Sequence, residues 1–148
     1  MKPYENSLPR FELSAVQTNF PTTQITNSSK SADFIRQFYG DDLHVFESFF
    51  LLLLNNNCQT IGFAKISQGG ITSTIVDIRL VAHYAVSSLA THVILAHNHP
   101  SGACKPSQQD IQLTKSFQEA LKLLEITILD HIILTGTSFY SLADNGDI

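Results

Sequence analysis

"HVILAHNHPSGACKPSQQDIQLTK", residues 92–115, begins as an apolar run of strand length, breaks into a polar segment, and resumes as an apolar stripe of helical spacing. The run at 92–97 predicts a buried strand. Pro106 and Ser107 make a helix start with Ser107 as N-cap, and Leu113, Phe117, Ala120, Leu121 and Leu124 then recur on one helical face. A strand delivered directly into a helix points to an α/β layered fold, and the flanking segments extend the pattern. Downstream, "ITILDHIIL" (126–134) and "FYSLA" (139–143) read as closing strands around "TGTS". Upstream, Ile78, Val81, Ala82, Ala85, Val86 and Leu89 form the stripe of an amphipathic helix that starts at Asp77.

Further upstream, "VFESFFLLLLNNNCQTIGFAKIS" (45–67) reads as a β-hairpin whose first strand is buried on both faces, with Asn55, Asn56 and Asn57 at the turn. A short helix over "ADFIRQFYG" (32–40) is capped by Ser29 or Ser31 and stopped at Gly40. Residues 1–28 read as an N-terminal arm of the same unit, with one edge strand at "RFELSAVQ" (10–17), and 29–148 as the domain proper. The expected order is β α β β α β α β β around a mixed sheet. An exposed edge strand in the arm makes a homodimer a further expectation.

Composition narrows the function classes. The chain has 148 residues, 43% of them hydrophobic and 15% charged, enough for one domain with a buried core. Nine Lys and Arg are scattered along the chain and the formal charge is −4, which leaves no basic stripe for a run of phosphates and weighs against direct nucleic-acid binding. Cys58 and Cys104 have neither the spacing of a CxxC pair nor the number of a disulfide scaffold. They read as free thiols, Cys58 in a turn or the core and Cys104 in a loop. The start of the chain lacks a signal-peptide pattern, and the run "FFLLLL" is far too short to span a bilayer, so a cytoplasmic protein without membrane attachment is expected.

The polar segment carries the chemistry. In an extended strand, positions two apart share a face, so His97 and His99 can aim at one point beyond the strand end, where α/β domains tend to keep their sites. Asp110, in the first turn of the helix that Ser107 begins, can project back toward that point as a third ligand. Two His, one carboxylate and an open position for water is the donor set of a catalytic zinc, which brings the pKa of its water to about 7 and polarises a carbonyl. Each residue also has an ordinary explanation. SxxD resembles a capping box, the helix dipole favours an early Asp, and Pro100 and Gly102 make a turn. Those explanations do not account for the residues occurring together at a strand-to-helix junction. Hydrolysis further needs a proton acceptor, and Glu47, at the head of the strand "ESFFLLLL", is a candidate that could equally be a solvated strand-end charge.

Glu47, His97, His99, Ser107 and Asp110, the last four in the spacing HxHx7SxxD, resemble the zinc signature of the JAMM (MPN-plus) metalloprotease family. The segments "ILAHNHPSG", "KPSQQDIQLTK" and "LDHIIL" are similar to its bacterial RadC-like branch, from about residue 11 to the C-terminus, in a short form without the helix-hairpin-helix segment of longer members. The resemblance implies a cytidine-deaminase-like three-layer α/β/α sandwich with a mixed sheet. It implies one Zn2+ per chain held by His97, His99 and Asp110, with Glu47 as general base and Ser107 stabilising the tetrahedral oxyanion. The implied activity is that of a zinc-dependent peptidase or isopeptidase acting on a peptide or isopeptide-linked protein. The alternative is a DNA-repair-associated module, the branch's traditional label, or a non-catalytic interaction module. There is no HxE and no PCxxC, which sets the chain apart from the base deaminases that share the fold. His131 reads as a core or ligand-supporting histidine, and His44, His83 and His92 as ordinary ones.

Overall fold

The computed structural model describes residues 8–12, 14–69 and 75–148. A seven-residue strand with every side chain buried, β1 (Ser48–Leu54), runs through the middle of it. Period-two alternation sends Phe50, Leu52 and Leu54 to one face and Phe49, Leu51 and Leu53 to the other, so a continuous apolar run can serve two cores at once. The Asn-rich turn closes as the composition suggests. Asn55 Oδ1 accepts the N–H groups of Asn57 at 2.9 Å and Gln59 at 3.0 Å, and Cys58 adopts the left-handed region at φ 56°. The chain returns as β2 (Thr60–Gln68), antiparallel to β1.

Helix α2 (Ile78–Ser87), capped by Asp77, leads to β3 (His92–Asn98), and α3 (Gln108–Lys122) connects β3 to a parallel partner, β4 (Thr127–Leu134). A short β5 (Phe139–Ser141) completes a five-stranded mixed sheet in the order β2-β1-β3-β4-β5. Helix α1 (Ser28–Arg36) packs Ala32, Phe34 and Ile35 against one face of the sheet. Val81 and Ala85 of α2, with Phe117 and Leu121 of α3, cover the other. The expected three-layer α/β/α sandwich with a mixed sheet is therefore what forms. Among the described residues, no helix is long and apolar enough to cross a membrane.

Several local expectations give way to packing. The edge strand at 10–17 does not form: among its described residues none is in a strand, and Phe11 and Val16 are more than four-fifths exposed. The turn end of the hairpin is met by residues 23–25, where Thr60 N–H donates to Thr23 O and Ile25 N–H to Cys58 O. Helix α1 is capped by Asn27, whose side chain accepts the Lys30 N–H at 2.8 Å, and not by Ser29 or Ser31. Ser31 lies inside the helix, where its hydroxyl donates to Asn27 O. Gly40 does not stop the helix either; the helix ends at Arg36, and Gly40 opens a 3-10 turn (Asp41–His44) with φ −57°. The α2 stripe is narrower than its periodicity predicts. Leu89 turns left-handed at φ 60° to aim the chain at β3, which leaves it 84% exposed, and Val86 is half exposed.

Two buried polar groups tie the C-terminal strands. Asp130 accepts from Ser141 Oγ at 2.6 Å, from Ala143 N–H at 3.0 Å and from His131 N–H at 2.7 Å. Burial pushes its carboxyl up and those three hydrogen bonds pull it back, with burial prevailing.

The two-sided use of β1 has a measurable consequence. Leu51→Ala, at a position with 0% exposure, is expected to lower unfolding stability by about 2–5 kcal/mol. Leu123→Ala, at 86% exposure, is expected to change it by less than about 0.5 kcal/mol. Urea unfolding of both variants checks the contrast, and equal losses would contradict the layer assignment.

Candidate metal centre

β3 ends beside β1 and β4, and its last residues face two directions. His97 points to the α2/α3 face, where its ring stacks flat against Phe49, its cross-strand partner, at 5.9 Å between centroids and 5° between planes. His99 follows one pleat later, its N–H donating to Leu134 O at 2.9 Å. The turn after it is built around Gly102, whose N–H donates to His99 O at 3.0 Å and whose φ of 87° suits glycine. That turn brings Ala103 O to 2.6 Å from His99 Nδ1. A carbonyl can only accept, so Nδ1 carries a proton and Nε2 is the ring atom left to offer a lone pair.

That Nε2 lies 2.9 Å from His97 Nε2. Two imidazole nitrogens bound at about 2.0–2.1 Å to a tetrahedral zinc sit roughly 3.3 Å apart, a comparable spacing. Two carboxylates approach the same point. Asp110 places Oδ1 3.5 Å from His97 Nε2 and Oδ2 3.7 Å from His99 Nε2, while Glu47 Oε1 is 3.9 Å from His99 Nε2. Glu47, His97 and His99 offer ligand atoms that all lie within 4.8 Å of one another. Two imidazole nitrogens and carboxylate oxygens gathered this closely are a donor set that fits a divalent metal ion of the kind that takes mixed N and O ligands.

Asp110 is held in place by its own helix. Its Oδ2 accepts the Ser107 N–H at 2.8 Å while Ser107 Oγ accepts the Asp110 N–H at 3.1 Å, a complete capping box. Burial pushes the Asp110 carboxyl up, but the facing His97 imidazole and the Ser107 donors prevail and hold it well below the usual carboxylate range. The ordinary explanation of SxxD and the site-forming one thus both hold, because the cap is what aims the carboxylate. Ser107 itself is exposed, and it uses its oxygen for the cap, which leaves its hydroxyl proton to be donated elsewhere.

Glu47 arrives from fifty residues away, and the residue that brings it is one to which sequence reasoning assigns no role. Asn98, between the two histidines and fully buried, points to the opposite face. Its Oδ1 accepts the Ser48 N–H at 2.8 Å, and its Nδ2 donates to Leu43 O and Phe46 O, each at 2.8 Å. Glu47 O accepts from Gly69 N–H at 2.8 Å, which pins the same residue from β2. An Asn inside HNH was the available signal, since a carboxamide at a buried strand position must find partners.

His131 lies on β4 with 0% exposure, and its Nε2 is 2.7 Å from His97 Nδ1. Burial and the neighbouring His97 push its pKa down, which keeps the ring neutral. It supports His97 from behind, as the sequence reading preferred. Cys58 and Cys104 are free thiols, and Cys104 is held in its loop by contacts with Ile133 O and the Ser138 hydroxyl.

Comparison with known proteins agrees with the geometry. A family model described as "RadC-like JAB domain" matches residues 25–147. The chain belongs to the RadC-like JAB domain family. Three similar proteins carry the name "UPF0758 protein". One from Flavobacterium johnsoniae is 44% identical over 123 residues, covering 83% of this chain and 53% of its own. One from Porphyromonas gingivalis is 46% identical over 101 residues, 68% of this chain and 44% of its own, and one from Streptococcus gordonii is 36% identical over 130 residues, 88% and 57% respectively. The chain thus spans about half the length of the curated relatives it matches.

Two nitrogens from one strand end make metal retention testable apart from any activity. Elemental analysis of the protein purified without chelator is expected to give about one divalent ion per chain. His97→Ala and His99→Ala are each expected to lose it. Retention in both variants would exclude this cluster as the binding site.

Proposed function

We propose that the chain is a zinc-dependent hydrolase of the peptidase or isopeptidase type, with His97, His99 and Asp110 as ligands and Glu47 as general base. The observation that carries the reading is the convergence of two imidazole Nε2 atoms and two carboxylates within 4 Å at the end of β3. Asp110 is assigned as ligand because its two oxygens lie 3.5 Å from His97 Nε2 and 3.7 Å from His99 Nε2, and Glu47, whose Oε1 stands 3.9 Å from His99 Nε2, takes the base role beside them. When bound, zinc lowers the pKa of water to about 7 and polarises a carbonyl.

The roles of the side chains follow from where they stand. Glu47 takes a proton from the water as its oxygen bonds to the carbonyl carbon of the scissile amide. The Ser107 hydroxyl donates to the oxygen on which negative charge develops. The protonated Glu47 then returns its proton to the nitrogen as the C–N bond breaks, releasing a carboxylic acid and an amine. Substrates of this class are peptides or proteins joined through an amide or isopeptide bond. The scattered cations and the net charge of −4 favour them over nucleic acid.

Screening the zinc-loaded protein against peptide and isopeptide libraries tests the activity. Glu47→Gln is expected to lower turnover by about 10²–10⁴-fold while zinc content stays at the wild-type level. Undiminished turnover in that variant would sink the assignment of the base. Ser107 has two roles to separate. Ser107→Gly keeps most of the cap, losing only about a few tenths of a kcal/mol of stability, so a fall in kcat with an unchanged unfolding midpoint is the expected signature of oxyanion stabilisation. Wild-type kcat in Ser107→Gly would leave the residue as a cap alone.

A further inference from the structure

Behind His97 runs a chain of hydrogen bonds whose direction can be read. His97 Nδ1 is 2.7 Å from His131 Nε2, and His131 Nδ1 is 2.7 Å from Thr114 Oγ1. All three side chains are buried, His131 and Thr114 completely. The Thr114 hydroxyl donates to Asp110 O, one helical turn earlier, at 2.6 Å. A hydroxyl has one proton, and here it is committed to a carbonyl that can only accept. Toward His131 the Thr114 oxygen can therefore only accept, which places the His131 proton on Nδ1. A fully enclosed neutral imidazole has no second proton, so its Nε2 is bare and accepts from His97 Nδ1–H. With a proton held on Nδ1, Nε2 is the His97 ring atom left to offer a lone pair, and that atom faces His99 Nε2 at 2.9 Å.

We propose that Thr114 and His131 are positioning residues that fix the tautomer of His97 so that its Nε2 is offered to the metal, an inference that rests on the zinc-centre reading above. The relay starts on the helix that carries Asp110 and ends on the strand that carries His97, so it also sets the separation of those two ligands through β4. Removing the hydroxyl reverses the chain. In Thr114→Val the His131 N–H faces a methyl group, and a buried donor without an acceptor is unfavourable. The opposite tautomer then becomes the better one, with the His131 proton on Nε2 donating to His97 Nδ1. The His97 proton moves to Nε2, where it competes with the metal.

The test measures zinc affinity by competition with a chromophoric chelator in the wild type, Thr114→Val and Thr114→Ser, with metal-free unfolding midpoints alongside. Thr114→Val is expected to bind zinc about 10–100-fold more weakly at a near wild-type midpoint, and Thr114→Ser, which restores the hydroxyl, to recover most of the loss. In the metal-free wild type, ¹⁵N NMR of the imidazoles is expected to find His97 protonated on Nδ1. Wild-type affinity in folded Thr114→Val overturns the relay and leaves the zinc reading standing, as does equal weakening in Val and Ser. A wild type that takes up no zinc overturns the zinc reading itself. Should Thr114→Val fail to fold, the NMR decides, and a His97 proton on Nε2 overturns the proposal.

Discussion

The carboxamide of Asn98 is the contact on which the centre turns. Its three hydrogen bonds, to Leu43 O, Phe46 O and Ser48 N–H, all reach the segment that carries Glu47. Leaving such buried groups without partners costs about 1–3 kcal/mol each, so the segment is held to the end of β3 on energetic grounds. Because side chains alternate along a strand, the tripeptide His97-Asn98-His99 serves both faces. The imidazoles turn toward the α2/α3 layer, and the carboxamide between them turns toward α1 and clamps the segment bearing the proposed base.

The layered fold explains why the cluster lies where it does. β3 and β4 run parallel, and the helix that crosses between them must begin near the end of β3. The start of α3 therefore stands beside His97 and His99 by connectivity alone. Its N-terminal turn favours a carboxylate, through free N–H groups and the helix dipole, and the capping box between Ser107 and Asp110 fixes which way that carboxylate faces. β1, antiparallel to β3, contributes Phe49 as a flat wall against His97 and Glu47 just before its first residue. Helix packing, strand pairing and ligand geometry thus share the same few residues, and little of the centre can move independently of the core.

Much of this was legible because it is local. The buried run of β1, the Asn-rich turn, the helix start at Asp77, the Ser107 cap and the strand-to-helix passage at 92–115 all depend on neighbours within a few positions, and periodicity and capping chemistry report such neighbours directly. The errors came where local pattern and tertiary partner disagree. The segment 10–17 alternates like a strand, yet its Phe11 and Val16 stay more than four-fifths exposed and it is residues 23–25 that meet the hairpin, at its turn. Ser29 and Ser31 are good caps by type, but the helix begins one turn earlier at Asn27, and Leu89 continues a helical stripe that the chain abandons in order to reach β3.

Sequence alone determined the pairing of His97 and His99 and the reach of Asp110, since i, i+2 geometry in a strand and the first turn of a capped helix leave few alternatives. Only the tertiary structure decided that Glu47 joins them, that Asn98 is what brings it, and that His131 and Thr114 stand behind His97. Those contacts join residues 17 to 55 positions apart across β1, β3, β4 and α3. Their existence depends on which strands pair and in which register, and that is set by burial of the two apolar faces of the whole sheet, a property no short stretch of the chain carries by itself.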